Sequence, residues 1–275
     1  MIKEKYIFVQ QDVRGRYMSE GTWTNMTPHI ANKKSNKDVD ESSDTFDAIE
    51  WLLKNVPHHN GRVGQSGISY PGFYSSAGSI DAHPALKAVS PQAPIADVFW
   101  DDFHHNGVFT QGYFWNLPIF GTGPNKPTET DWYTLFDKPT PDAYDFYKRG
   151  GTLKQLGDKY YKDNFLWKEL TEHPNYDSFW QSRRIVKHMR NLKPAYLVVG
   201  GWFDAEDLQG PLTTYRKVAR DNAGTRNILV MGPWTHGGWA HGPGRSVGQI
   251  ALGSDTGAHY RERIEFPFFE SALRG

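Results

Sequence analysis

Arg62-Val63-Gly64-Gln65-Ser66-Gly67-Ile68-Ser69-Tyr70-Pro71-Gly72 is the stretch whose reading decides how the rest of the chain is arranged. Arg62–Gln65 predicts a strand, glycine-rich because something packs tightly on it. Gly67 to Tyr70 predict a sharp turn, and Pro71 suits the start of a following helix. A nucleophile elbow needs a serine on a strained turn between strand and helix, with small neighbours that let the helix pack close to the strand. The usual G-x-S-x-G has its second glycine two positions after the serine; here Pro71 stands there and Gly72 follows it. Ser66 competes for the role but falls at the strand end rather than in the turn. Alone, such a turn is as often a plain connection as a catalytic one.

Working outward, Tyr6–Gln10 reads as a short buried strand, and Leu86–Ser90, Pro194–Val199 and Asn227–Met231 as further strands. Ser43 or Asp44 can cap a helix that ends near Asn55, ahead of Pro57, and another helix is expected from about Gly210 to Arg220. Strands alternating with helices predict an α/β protein with a mostly parallel sheet covered on both faces. Between Val98 and Asn191 the pattern changes to a mixture dense in Trp, Tyr, Phe, Asp, Lys and Pro, with helical segments at Leu153–Tyr161 and Ser178–Met189. The expected division is a core of residues 1–97 and 191–275 with a helical cap insertion at 98–190.

The 275 residues carry 31 basic and 31 acidic side chains, so nothing is in excess to neutralise nucleic-acid phosphates. Ten Trp, 14 Tyr and 16 Phe supply a core, and no apolar run approaches the ~20 residues of a membrane helix. Met1–Lys5 lacks the apolar stretch of a signal peptide, which leaves the compartment unassigned. The absence of cysteine removes disulfides, thiolate nucleophiles and thiolate metal sites.

Two polar residues stand just after later strands: Asp204 in Gly201-Trp202-Phe203-Asp204, and His236 in Gly232-Pro233-Trp234-Thr235-His236. Taken singly they read as a helix cap and a surface-loop histidine. With Ser69 they make the order Ser, acid, His at three strand ends, which is where ligands bind in open α/β sheets. In that chemistry His236 takes the Ser69 proton and later returns it to the leaving group, while Asp204 holds the imidazole and stabilises its cation.

These stretches, together with Gln11-Asp12-Val13-Arg14-Gly15, Ser19-Glu20-Gly21 and His83-Pro84-Ala85-Leu86-Lys87, resemble serine hydrolases of the cocaine esterase / X-prolyl dipeptidyl peptidase type. Within that group the sequence is most similar to α-amino acid ester hydrolases and glutaryl-7-aminocephalosporanic acid acylases. The resemblance implies an α/β-hydrolase fold, a Ser69/Asp204/His236 triad and the Tyr70 backbone N–H as one oxyanion donor. It also implies that Asp102, Glu206 and Asp207 grip the ammonium group of an α-amino substrate, with Asp101 an alternative to Asp102. Read on their own, these are acidic loop residues. The family's N-terminal portion, which supplies a tyrosine hydroxyl as second oxyanion donor, and its C-terminal β-sandwich have no matching residues; Tyr17 follows the first strand and is not given that part. The expectation is the central part of a longer enzyme, or an unusually short relative.

The function expected is a serine esterase/amidase acting through an acyl-enzyme on α-amino acid esters, with β-lactam amides as further substrates. The alternatives are a generic carboxylesterase, a glutaryl-type acylase or X-prolyl peptidase without the amino preference, or a catalytically inactive fold. No cofactor is expected. No metal is expected either, since His58-His59, His104-His105 and His236/His241 lack an H-E-x-x-H or H-x-H pattern. The partner expected is a small ester or amide, not nucleic acid or membrane, and a homo-oligomer is compatible with the composition.

Overall fold

The structure is a computed structural model and describes residues 4–137 and 139–274. Val63–Ile68 (β1), Leu86–Gln92 (β2), Ala195–Gly201 (β3) and Asn227–Gly232 (β4) form a four-stranded sheet in that order, with every pairing parallel. The register sets Ile68 against Gln92, Gln92 against Val199 and Gly201 against Gly232. The residues that leave the four strands therefore emerge along one edge.

Tyr196 to Val199 are wholly buried in β3, the pattern of a parallel strand covered on both faces. Alternation separates the faces. Ala88, Leu197 and Val199 pack with Trp234, Trp239, Tyr260, Phe268 and Phe269, the last two from Phe266–Leu273. Tyr196 points the other way, where its hydroxyl bonds Ser79 Oγ just beyond the helix Tyr70–Ala77. Helix Gln209–Asp221 connects β3 to β4.

The helix Glu41–Asn55 starts one turn earlier than the sequence suggests. Asp40 is its N-cap, accepting from Ser43 N–H at 3.0 Å, while Ser43 Oγ accepts from Asp40 N–H at 2.9 Å. Tyr6–Gln10 is not a strand. Ile7, Phe8 and Val9 are about half exposed, because β1 is the sheet edge and no strand lies beyond it among the described residues.

The described chain divides into two compact units. The segment ending at Phe8, Thr27–Asn106 and the chain from Trp180 onward form one; Val9–Met26 and Gly107–Phe179 form the other. The expected boundaries at 98 and 190 thus move inward, and Val9–Met26 joins the second unit. Two contacts give the reason. Asp101 closes the turn after β2 by accepting from Ala96 and Asp97 N–H, which keeps that segment with the sheet. Arg16 lies over the rings of Trp23 and Trp132 at 4.5 and 4.4 Å and donates to Thr122 O, which ties the early loop to the second unit. Helices Ala143–Gly150, Leu153–Tyr160 and Phe165–Glu172 complete that unit. No helix among the described residues is long and apolar enough to cross a membrane.

Candidate active site

β1 ends at Ile68 and the next helix begins at Tyr70, so Ser69 alone makes the corner, at φ 68° and ψ −127°. A non-glycine residue there stores roughly 1–3 kcal/mol of strain. The surroundings hold it: Ser69 N–H donates to Gln92 O at 2.9 Å, and Ser69 O accepts from Phe73 N–H at 3.0 Å. The two glycines are required by close approach. A Cβ on Gly67 would lie 2.5 Å from Pro71 C and O, and one on Gly72 would lie 2.5 Å from Gln92 O. The displaced glycine therefore seats the helix on the end of β2. Ser66 lies within β1, paired with Ser90, and takes no part in the corner.

The loops after β3 and β4 are laced together. Trp202 N–H donates to Gly232 O at 2.8 Å and Phe203 N–H to Trp234 O at 3.0 Å. This brings His236 Nδ1 to 2.9 Å from Asp204 Oδ2, while Asp204 Oδ1 accepts from the N–H groups of Glu206 and Asp207, each at 2.9 Å. Burial opposes ionisation of Asp204, but the His236 bond and the two backbone donors outweigh it and hold the carboxyl below its ordinary range. Burial likewise opposes the His236 cation, yet Asp204, Glu206 and Asp102 together raise its pKa.

With Nδ1 committed to Asp204, Nε2 is the working nitrogen. It lies 3.4 Å from Glu206 Oε2. No hydrogen bond joins Ser69 Oγ to His236 among the described residues, although their loops meet: a Cβ on Gly237 would sit 3.7 Å from Ile68 Cγ2. Such bonds commonly tighten only when substrate is bound. Tyr70 is the first residue of its helix, so its N–H belongs to the positive end of the helix dipole.

The structure separates the neighbouring acids that sequence leaves interchangeable. Asp101 Oδ2 is engaged by Ala96 and Asp97 N–H at 2.7 and 2.8 Å, and burial pushes this carboxyl up to about 7 against those bonds. Asp102 is buried as well, and its charge acts on both Asp207 and His236. Asp207 is 0% exposed, with Oδ2 3.9 Å from His236 Nδ1. Burial first, and then the charges of Asp102, Asp101 and Glu206, raise its pKa well above the carboxylate range. Glu206 and Asp207 thus lie beside one imidazole, and the charge of Asp102 acts on both Asp207 and the imidazole. Glu206, Asp207 and His236 also each offer a ligand atom within 4.8 Å of the others, a spacing that suits a small cation, organic or metallic, and that no sequence motif signals.

Residues 1–238 match the X-Pro dipeptidyl-peptidase (S15) family. Cocaine esterase from Rhodococcus sp. (strain MB1 Bresler) is 26% identical over 249 residues, covering 86% of this chain and 39% of the esterase. An aminopeptidase from the marine sediment archaeon Thaumarchaeota archaeon superposes with a TM-score of 0.83 at 35% identity, over 96% of this chain and 43% of its own. An α-amino acid ester hydrolase superposes with a TM-score of 0.87 at 32% identity, over 99% of this chain and 44% of its own. The chain spans less than half the length of each of these relatives. The parallel sheet, the serine corner and these likenesses identify the α/β-hydrolase fold, and the chain belongs to the X-Pro dipeptidyl-peptidase (S15) family.

Proposed function

We propose that the chain carries the site of a serine hydrolase acting through an acyl-enzyme on esters and amides whose acyl group bears a free α-amine. α-Amino acid esters are the first substrates in this reading and β-lactam amides the second. Ser69 Oγ attacks the carbonyl carbon as its proton passes to His236 Nε2. The oxyanion takes a hydrogen bond from Tyr70 N–H, and His236 returns the proton to the departing alcohol or amine. Water then repeats the sequence on the ester of Ser69 and releases the acid.

The observation that carries the amine preference is the placing of Glu206 and Asp207 beside His236, with the charge of Asp102 acting on the same groups. A partly dry pocket with excess carboxylate is costly when empty and fits an ammonium ion. Two of the similar structures, the aminopeptidase and the α-amino acid ester hydrolase, are named for substrates with that group.

The test has two steps. A fluorophosphonate should label the protein at Ser69 and nowhere else, since only an activated serine reacts; an unlabelled protein would leave an inactive hydrolase fold. Hydrolysis of an α-amino ester is then compared with that of its des-amino analogue. The reading requires kcat/KM to favour the amine by at least about tenfold, roughly one charge-assisted bond. Equal values would leave a carboxylesterase without the preference.

A further inference from the structure

Gln92, the last residue of β2, bonds the candidate nucleophile Ser69 directly and the loop of His236 through Trp239. Its backbone carbonyl accepts from Ser69 N–H at 2.9 Å. Its side-chain Oε1 accepts from the indole Nε1–H of Trp239 at 2.6 Å, and its Nε2 donates to Glu265 Oε1 at 2.7 Å and Ser90 Oγ at 3.1 Å. Gln92 is 3% exposed and Trp239 0%.

Trp239 anchors the histidine loop, three residues beyond His236. Its ring packs on Trp234 with centroids 5.5 Å apart, and its carbonyl accepts from Arg261 at 2.5 Å. The intervening turn is closed by Gly238 N–H to Thr235 O at 2.9 Å and Ala240 N–H to Gly237 O at 3.0 Å. Little slack remains between the indole and the imidazole.

The residue type follows from the partners. An indole N–H can only donate and a carboxylate can only accept, and a side-chain amide serves both at once. Glutamate would face Glu265 with a second carboxylate. An aliphatic residue would leave the indole N–H and Glu265 without these bonds in a buried place.

We infer that Gln92 is a positioning residue that sets the distance between Ser69 and His236, holding the nucleophile through its backbone and the base through its side chain. Two loops from different strands are thereby referred to one residue. The inference rests on the reading of Ser69 and His236 as nucleophile and base.

The test uses Gln92→Met, which keeps length and loses both amide functions, and Trp239→Phe, which removes the indole N–H. Each should slow kcat and the fluorophosphonate labelling of Ser69 by about 10- to 100-fold, with KM within about threefold, as expected when reacting groups are misplaced but the substrate is still bound. The double variant should be no slower than the slower single one, because both break one link. Ser79→Ala, which removes a buried hydrogen bond on the opposite face, lowers Tm and should leave the rates within about twofold. Either single variant at the wild-type rate with its fold intact would overturn the inference, and so would an equal rate loss in Ser79→Ala. If Gln92→Met does not fold, Trp239→Phe decides alone. A wild-type protein that fails to label, or a Ser69→Ala variant that still turns over, would instead remove the nucleophile reading beneath it.

Discussion

Around Phe114, burial is achieved with rings. Phe136, Phe146, Tyr161 and Trp167 surround it at centroid distances of 5.6, 5.9, 4.6 and 5.8 Å, and Tyr161 turns its hydroxyl to the Phe114 carbonyl. Around His236 the buried side chains are the carboxylates of Asp204 and Asp207, in a site whose candidate nucleophile, Ser69, is held at positive φ. Contacts in the first region add to stability, and little in it titrates near neutrality. The second holds desolvated charge and backbone strain, both of which cost stability, as regions kept for function commonly do. The two regions should therefore respond to mutation in opposite ways.

The largest separation should come from Ser69→Ala. Turnover and labelling are expected to fall by at least about 10³-fold, as when a triad member is removed, with the urea midpoint unchanged or slightly higher. A variant that still turns over would move the nucleophile elsewhere. Phe114→Ala should do the reverse, costing about 3–5 kcal/mol in urea unfolding of its unit, by a similar amount at pH 6 and pH 9. A loss under 1 kcal/mol would mean that the ring cluster is not the core it resembles.

Asp207→Asn falls between these. We expect the α-amino ester to lose about 10- to 100-fold in kcat/KM, mainly through KM, with the des-amino ester spared. Its effect on stability has a definite sign. The folded pKa of Asp207 is raised above the unfolded value near 3.9, so the folded state binds the extra proton. That contribution is complete below about pH 4 and is lost as pH rises through the folded value. Asparagine removes the slope, so the variant should gain on the wild type as pH increases; a parallel pair of stability curves would count against a buried, protonated carboxyl. The smallest expected effect is the difference between Ser69→Gly and Ser69→Ala. Glycine adopts φ 68° without strain, so it should be more stable than alanine by roughly 1 kcal/mol. Identical unfolding midpoints would show that the corner is not strained.

What the sequence discloses and what it withholds follow the range of the interactions involved. β2, β3 and β4 are legible because each is a short apolar run bounded by turn residues, and the serine corner because its glycines stand close by in the chain. Tyr6–Gln10 has the same apolar look and misleads, since a strand needs a neighbour and the run itself does not say whether one is present. Asp101 and Asp102 are adjacent and chemically identical; only the backbone donors of Ala96 and Asp97 tell them apart. Arg16 meets Trp132 across more than a hundred residues, and Gln92 meets Trp239 and Glu265 at separations of 147 and 173. A lone glutamine at the end of a strand gives no local signal of such partners.

A carboxyl whose pKa is raised by burial keeps its proton to higher pH than a free one, which gives Asp207 the character of a proton store. If an ammonium ion takes its place among Asp102, Glu206 and Asp207, its positive charge favours the ionised carboxyl, and the displaced proton leaves for solvent. Association with an amine would then acidify an unbuffered solution. Its calorimetric heat would change with the ionisation enthalpy of the buffer, and its affinity would rise with pH until the store is empty or the amine itself loses its charge.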